Sequence, residues 1–245
     1  MRGVENVSTA IASKAAPVAA RRGDRRKVAR EELLDAAFRA IDGLGATVSM
    51  DDIAREAGVA KPKLYRYFED KADLHSAVLE RVQDMLWSAS MDRINLMTDS
   101  ARDLVEHGAN EYAQMISDHP NVLRFIVHGH FINSSDGTER LVETAQQMTH
   151  DIAEILSSAI DDETVDIDDA DLAVSSAAGA IGTATEWFLG PNQLRADPMP
   201  IERFVEYLTT VLSGLAASIA EFNGLTLDPD QPLHLAFTRI QGGAS

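Results

Sequence analysis

The chain has 245 residues, 45% of them hydrophobic, which suffices for one medium domain or for a small domain attached to a larger one. It contains no cysteine, so disulfides, thiolate nucleophiles and zinc ribbons are excluded. The net charge of −17 is unevenly distributed: residues 1–71 hold 14 Lys and Arg against 11 Asp and Glu, and the rest of the chain holds 8 against 28. A phosphate-binding surface needs only local positive potential, so the acidic total leaves a nucleic-acid partner open for the front of the chain.

Residues 1–24 read as a disordered basic arm, poor in large apolar side chains, with Arg21, Arg22, Arg25, Arg26, Lys27 and Arg30 running into the first helix. The small-residue stretch 10–20 is broken by Lys14 and Pro17 and lacks the apolar centre of a signal peptide. No run approaches the ~18 apolar residues of a membrane span. The expectation is a cytoplasmic protein without a membrane partner. From about Arg25 the pattern is helical, with Leu34, Phe38 and Ile41 on one side and Gly43 and Gly45 at its end. A short second helix follows, with Ser49 as N-cap, Asp51 and Asp52 in its first turn, Ile53, Ala54 and Ala57 as its apolar side, and Gly58 as its stop. After the turn Gly58-Val59-Ala60, Pro62 sits where a first-turn proline is tolerated, and Leu64-Tyr65-Arg66-Tyr67-Phe68 completes a third helix.

Asp70 can cap a long fourth helix carrying Leu74, Val78, Val82, Met85 and Ala89 on one face. Further helices are expected near 101–117, 121–133, 137–160, 167–189 and 200–222, followed by an irregular tail from Gly224 whose Leu225, Leu227, Leu233 and Phe237 pack back or hang loose. No strand-like alternation is found. The fold class is therefore all-α: an N-terminal three-helix helix-turn-helix domain (25–71), a larger helical domain (72–222) and a C-terminal tail (223–245). Two short helices joined by a three-residue glycine turn, behind a longer helix, are the arrangement that places its second helix in the major groove. Ala54 is small where those helices cross, and Gly58 can take the positive φ of the turn.

The run Met50-Asp-Asp-Ile-Ala-Arg-Glu-Ala-Gly-Val-Ala, followed by Lys61-Pro-Lys-Leu-Tyr-Arg-Tyr-Phe-Glu-Asp-Lys71, resembles the N-terminal domain of the tetracycline-repressor (TetR) family; the likeness extends over about fifty residues, from Leu33 to Leu74. The resemblance implies a homodimer bound to a palindromic double-stranded DNA operator, with a variable rear domain that takes a small ligand. Most members repress. The family often has Ser or Thr where this chain has Ala60, so a hydroxyl able to cap the recognition helix is missing.

Carried over residue by residue, Lys61 and Lys63 become candidates for base-edge or phosphate contacts, Tyr65 and Tyr67 for phosphate contacts, and Lys71 for an anion site with the free N–H groups of the fourth helix. Ser49 is placed similarly at the second helix. The alternative for Tyr65 is a core position with its hydroxyl at the surface, and Arg25 and Arg26 could be a solvated tail or reach phosphate and the minor groove.

Small residues thin the last two long helices, with Ser175, Gly179 and Thr183 spaced by four, as are Ala178 and Gly182. With the broad apolar side of the final helix, which includes Phe204, Leu208, Leu212 and Leu215, they suggest a four-helix dimer interface, as the family resemblance also does. Trp87, Met91, Tyr112, Met115, Phe125, Met148 and Trp187 could line a cavity for an apolar effector, although Met and aromatic stripes are also ordinary core. The expected mechanism is a shift of population: effector binding moves the far end of the fourth helix, near Trp87–Met91, and spoils the spacing of the two recognition helices.

Two other classes remain. One is a ligand-independent DNA-binding or architectural protein. The other is a helical enzyme holding metal on Asp161-Asp162-Glu163-Thr164-Val165-Asp166-Ile167-Asp168-Asp169, but Val165 interrupts the aspartate spacing and Asp166 stands where a calcium loop needs glycine. His128 and His130, two apart on a helix, point away from each other. No metal, cofactor or catalytic group is expected.

Overall fold

The computed structural model describes residues 26–91, 95, 98–132, 146–147, 149–154 and 167–240. The basic arm with Arg25, the side chains of Met91 and His130, Met148, most of the helix expected at 137–160 and the aspartate run 161–166 lie outside the described residues.

Helix α1 covers 26–44, followed by α2 (Met50–Glu56), α3 (Lys61–Leu64) and α4 (Lys71–Met91). Behind them come α5 (Ala101–Asp118), α6 (Pro120–Ile132), α7 (helical at 146–147 and 149–154), α8 (Ile167–Leu189), a 3-10 turn at Pro191–Leu194, and α9 (Ile201–Phe222). The architecture is all-α, as expected. One local correction concerns the tail, where β1 (Leu225–Leu227) pairs antiparallel with β2 (Phe237–Arg239) around a four-residue α10 (Leu233–Ala236). Three-residue strands are too short to show alternation, and their pairing joins residues a dozen apart. The tail is fixed to the body: carbonyls of Gln231 and Pro229 accept the N–H groups of Ala101 and Arg102 at 3.0 and 2.9 Å, and Arg102 pairs with Asp230 at 2.8 Å. These are N–H groups that α5 cannot satisfy within its own first turn.

The core is continuous from front to rear. Leu33, Leu34, Ala37 and Ile41 of α1, Ile53 and Ala54 of α2, Leu64, Phe68, and Leu74 and Val78 of α4 form its front; Met115, Val122, Phe125, Phe188, Phe204 and Leu208 continue it. Phe68 and Leu64 are wholly buried, and each such side chain stabilises the fold by roughly 1.5–3 kcal/mol.

Polar ties fix the front helices to the rear ones. His75 of α4 donates from Nε2 to the carbonyls of Phe125 and Ile126 in α6 (3.2 and 3.0 Å), and His119 donates from Nδ1 to Asp42 of α1 at 2.6 Å. Arg81 of α4 bridges Glu31 and Asp35 of α1, and Arg124 of α6 donates from Nη2 to the last carbonyl of α8, that of Leu189, at 3.1 Å. Rotation of α4 therefore cannot occur without strain on α1 and α6.

Candidate nucleic-acid interface

The turn between α2 and α3 is built by local chemistry. Ser49 caps α2 reciprocally: its hydroxyl accepts from the Asp52 N–H at 3.2 Å, while the Asp52 carboxylate accepts from the Ser49 N–H at 3.1 Å and from its hydroxyl at 2.6 Å. These bonds from Ser49 hold the Asp52 carboxyl below the ordinary carboxylate range. At the other end Val59 N–H donates to Ala54 O (2.9 Å) and Gly58 N–H to Arg55 O (3.1 Å), the two bonds of a Schellman stop, with Gly58 at φ +63°. Ala60 then opens α3 without a side-chain cap, as the missing hydroxyl implied, and Pro62 lies in the first turn.

Between Met50 and Lys71 there are five basic residues (Arg55, Lys61, Lys63, Arg66, Lys71) and five acidic ones (Asp51, Asp52, Glu56, Glu69, Asp70), so this segment has no net charge. Geometry separates the cations. Arg55 is held by Asp52 at 2.9 Å and Lys61 by Asp51 at 2.8 Å. Lys71 donates to the Val48 carbonyl at 2.9 Å, with its ammonium 5.7 Å from the centre of the Phe125 ring. One donor of this ammonium ties α4 to the loop before α2, while Lys71 itself is exposed at the start of α4. Lys63 and Arg66 are exposed, and neither has an ion-pair partner among the described residues. Arg66 was not singled out from the sequence; its place on an exposed turn between Tyr65 and Tyr67 was the available signal.

Tyr65 is exposed, with its ring under the Lys61 ammonium at 5.9 Å, whereas Tyr67 is half-buried against the core. Ser49 is exposed, but its hydroxyl is engaged in the cap. Arg26 lies exposed on the first turn of α1. Lys61, Lys63, Tyr65 and Arg66 are therefore the accessible side chains on and beside α3 that can meet DNA.

The other expected site residues are dispersed. Met115 and Phe125 are buried in the core, and Phe125 packs on the His75 ring at 5.1 Å. The Tyr112 hydroxyl is bonded to Thr185 Oγ1 at 2.7 Å, and burial pushes its pKa up to about 12. Trp87 is partly exposed on α4. Trp187 lines a cavity of about 510 Å³, together with Ala180, Thr183, Ala184, Met199, Phe204 and Tyr207. Phe204 and Leu208 need correction as interface residues: they are 1% and 2% exposed and turned inward, with Phe204 stacked on Phe188 at 4.3 Å. Ser175 and Gly179 are exposed, whereas Gly182, Leu212 and Leu215 are half-buried.

Comparison with known proteins gives this geometry a context. Residues 33–78 match the tetR family of bacterial regulatory proteins, a span that takes in α2, α3 and the start of α4. An uncharacterised HTH-type transcriptional regulator of Mycobacterium tuberculosis is 28% identical over 214 residues, covering 83% of this chain and 84% of that one. Residues 33–78 are a tetR-family DNA-binding segment. The HTH-type transcriptional activator FasR of Mycolicibacterium smegmatis is 36% identical to this chain over 105 residues, which is 38% of this chain and 48% of FasR. A tetR-family regulator from Streptomyces coelicolor has the same fold, with a TM-score of 0.55 at 22% identity over 81% of this chain and 83% of that one. The protein is thus a DNA-binding transcriptional regulator. Among its described residues no helix is long and apolar enough to cross a membrane, and no three metal-binding side chains come together.

Proposed function

We propose that this TetR-family regulator works in the cytoplasm as a homodimer on a palindromic operator, with α3 in the major groove, and that a small apolar effector weakens its grip and relieves repression. The observation that carries the DNA face is the exposure of Lys61, Lys63, Tyr65 and Arg66 on and beside α3, presented by a turn that Ser49 and Gly58 lock. Lys63 and Arg66 supply positive charge with no ion-pair partner among the described residues, and Arg26, exposed on the first turn of α1, is a further cation for phosphate, as is Arg25 before it in sequence.

Dimerisation through α8 and α9 is supported by open space beside the Cβ positions of Gly179, Gly182 and Gly214, and by exposed Tyr207 and Leu172. A second copy can approach such backbones closely. The cavity beside Trp187 and Tyr207 has a volume suited to a small molecule, and its lining is largely apolar. One observation favours a ligand-independent protein instead: Met115 and Phe125 are buried in the core and the Tyr112 hydroxyl is bonded to Thr185, so these expected effector contacts already have partners within the protein. Repression follows the family's majority; the activator FasR shows that the opposite sign occurs among the relatives.

Binding of the purified chain to its own upstream DNA as a function of salt, beside a Lys61→Ala/Lys63→Ala variant, tests the reading. A log–log salt dependence with slope near −0.9 per phosphate contact, and loss of sequence preference in the variant, is the expected result. Equal affinity of the two proteins for every duplex would overturn the assignment of α3. Thermal shifts with a series of apolar acids and acyl thioesters decide between the ligand-dependent and ligand-independent forms.

A further inference from the structure

The DNA face carries an acid that does not suit simple phosphate binding. Asp51, in the first turn of α2, places Oδ1 2.8 Å from Lys61 Nζ, across the gap between the two short helices. Both side chains are about half exposed, at 58% and 50%, so water and DNA can reach the pair. The same ammonium sits 5.9 Å from the Tyr65 ring centre and is thus held between a carboxylate and a π face. Lys63 and Arg66, also exposed on and beside α3, have no such restraint among the described residues.

We propose that Asp51 is a specificity-determining residue: it holds the Lys61 ammonium back from ordinary backbone phosphates and yields it only where the duplex offers a better acceptor, such as the N7 and O6 edge of guanine. The inference rests on the DNA-binding reading above. Its physical basis is competition. A protein discriminates by the difference between two affinities, and a repulsive or competing group lowers the affinity for wrong sites. An exposed ion pair is worth little by itself, so a well-placed base edge can displace it, while a passing phosphate gains less because Asp51 also repels it. The pair with Asp51 holds the Lys61 ammonium above the ordinary lysine range, in keeping with a charge that is retained and occupied.

The alternative role of Asp51 is to complement the dipole of α2, and the two roles have different readouts. A dipole partner affects stability only. A competitor for Lys61 affects the number of phosphates engaged, hence the salt slope on random DNA.

The test uses the full chain as wild type, Asp51→Asn, Lys61→Met and the double variant. Each is titrated by fluorescence anisotropy against a random-sequence duplex and against a duplex selected in vitro by the wild type, over a range of salt. Far-UV circular dichroism establishes that each variant is folded, and Asp51→Ser, which keeps a good first-turn residue, repeats the measurement. The expected result for Asp51→Asn is about three- to fivefold tighter binding of random DNA, with a salt slope steeper by about one phosphate contact, and a smaller gain on the selected duplex. In the Lys61→Met background the substitution of Asp51 should change nothing. An equal gain with and without Lys61 would mean plain charge repulsion and overturn the proposal, as would an unchanged salt slope. Failure of the wild type to bind either duplex at low salt would overturn the DNA reading itself, whereas wild-type binding with a silent Asp51→Asn overturns only the role of Asp51.

Discussion

Replacing Gly58 by alanine isolates a backbone cost, because an added Cβ would meet nothing within 4 Å while the residue's φ is +63°. No clash enters the calculation. What remains is the left-handed conformation itself, which costs an L-residue about 1–2 kcal/mol. The turn has no cheap way to avoid that cost: Gly58 N–H and Val59 N–H hold the carbonyls of Arg55 and Ala54, and moving φ into the right-handed region would break both bonds and swing α3 away from α2. Gly58→Ala should therefore lower stability by about 1–2 kcal/mol, or Tm by about 2–8 °C for a chain of this size, measured by urea and thermal unfolding. Gly58→Asn should lose less, since asparagine tolerates the left-handed region. Unchanged stability for Gly58→Ala would refute the reasoning, and so would a loss beyond about 4 kcal/mol, which open space around the Cβ does not allow.

Gly108 in α5 also has open space around its Cβ but an ordinary helical backbone, so Gly108→Ala should stabilise by about 0.5–1 kcal/mol in the same unfolding assay. Ser49→Ala removes the cap of α2 and should cost about 1 kcal/mol, with DNA affinity falling in parallel if the cap orients α3. Asp52 and Asp103, both held by N-cap serines below the ordinary carboxylate value of 3.8, contribute stability that is present above that value and lost as pH falls through their lower folded values; Asp52→Asn and Asp103→Asn should flatten this part of an acid unfolding profile. Tyr112 shifts the opposite way: its folded pKa of about 12 exceeds the ordinary 10, so its contribution is complete below pH 10 and disappears as pH rises from 10 to 12. An ultraviolet titration in which every tyrosine ionises near pH 10 would contradict that, and Tyr112→Phe should remove the late step.

Local sequence determined those parts of the protein in which each residue's partner lies within a turn or two. Ser49 caps α2, Asp70 caps the start of α4 by accepting from the Asp73 N–H at 2.8 Å, Gly58 stops α2, and apolar spacing places most helix ends to within a few residues. The resemblance read from Leu33 to Leu74 rests on the same local chemistry and agrees with the family match over 33–78. Tertiary structure decided what lies between elements. Lys71 reaches Val48, 23 residues back; His119 reaches Asp42, 77 residues back; and His75 finds carbonyls about 50 residues ahead. Periodicity carries no information about such pairs, because it fixes which face of a helix is apolar but not which neighbour that face meets. For the same reason Phe204 and Leu208 turned out to lie inside the protomer, Trp187 beside a cavity on α8 and α9, and Asp51 against Lys61: each position depends on how two helices cross, and a crossing is set by the packing of the whole core.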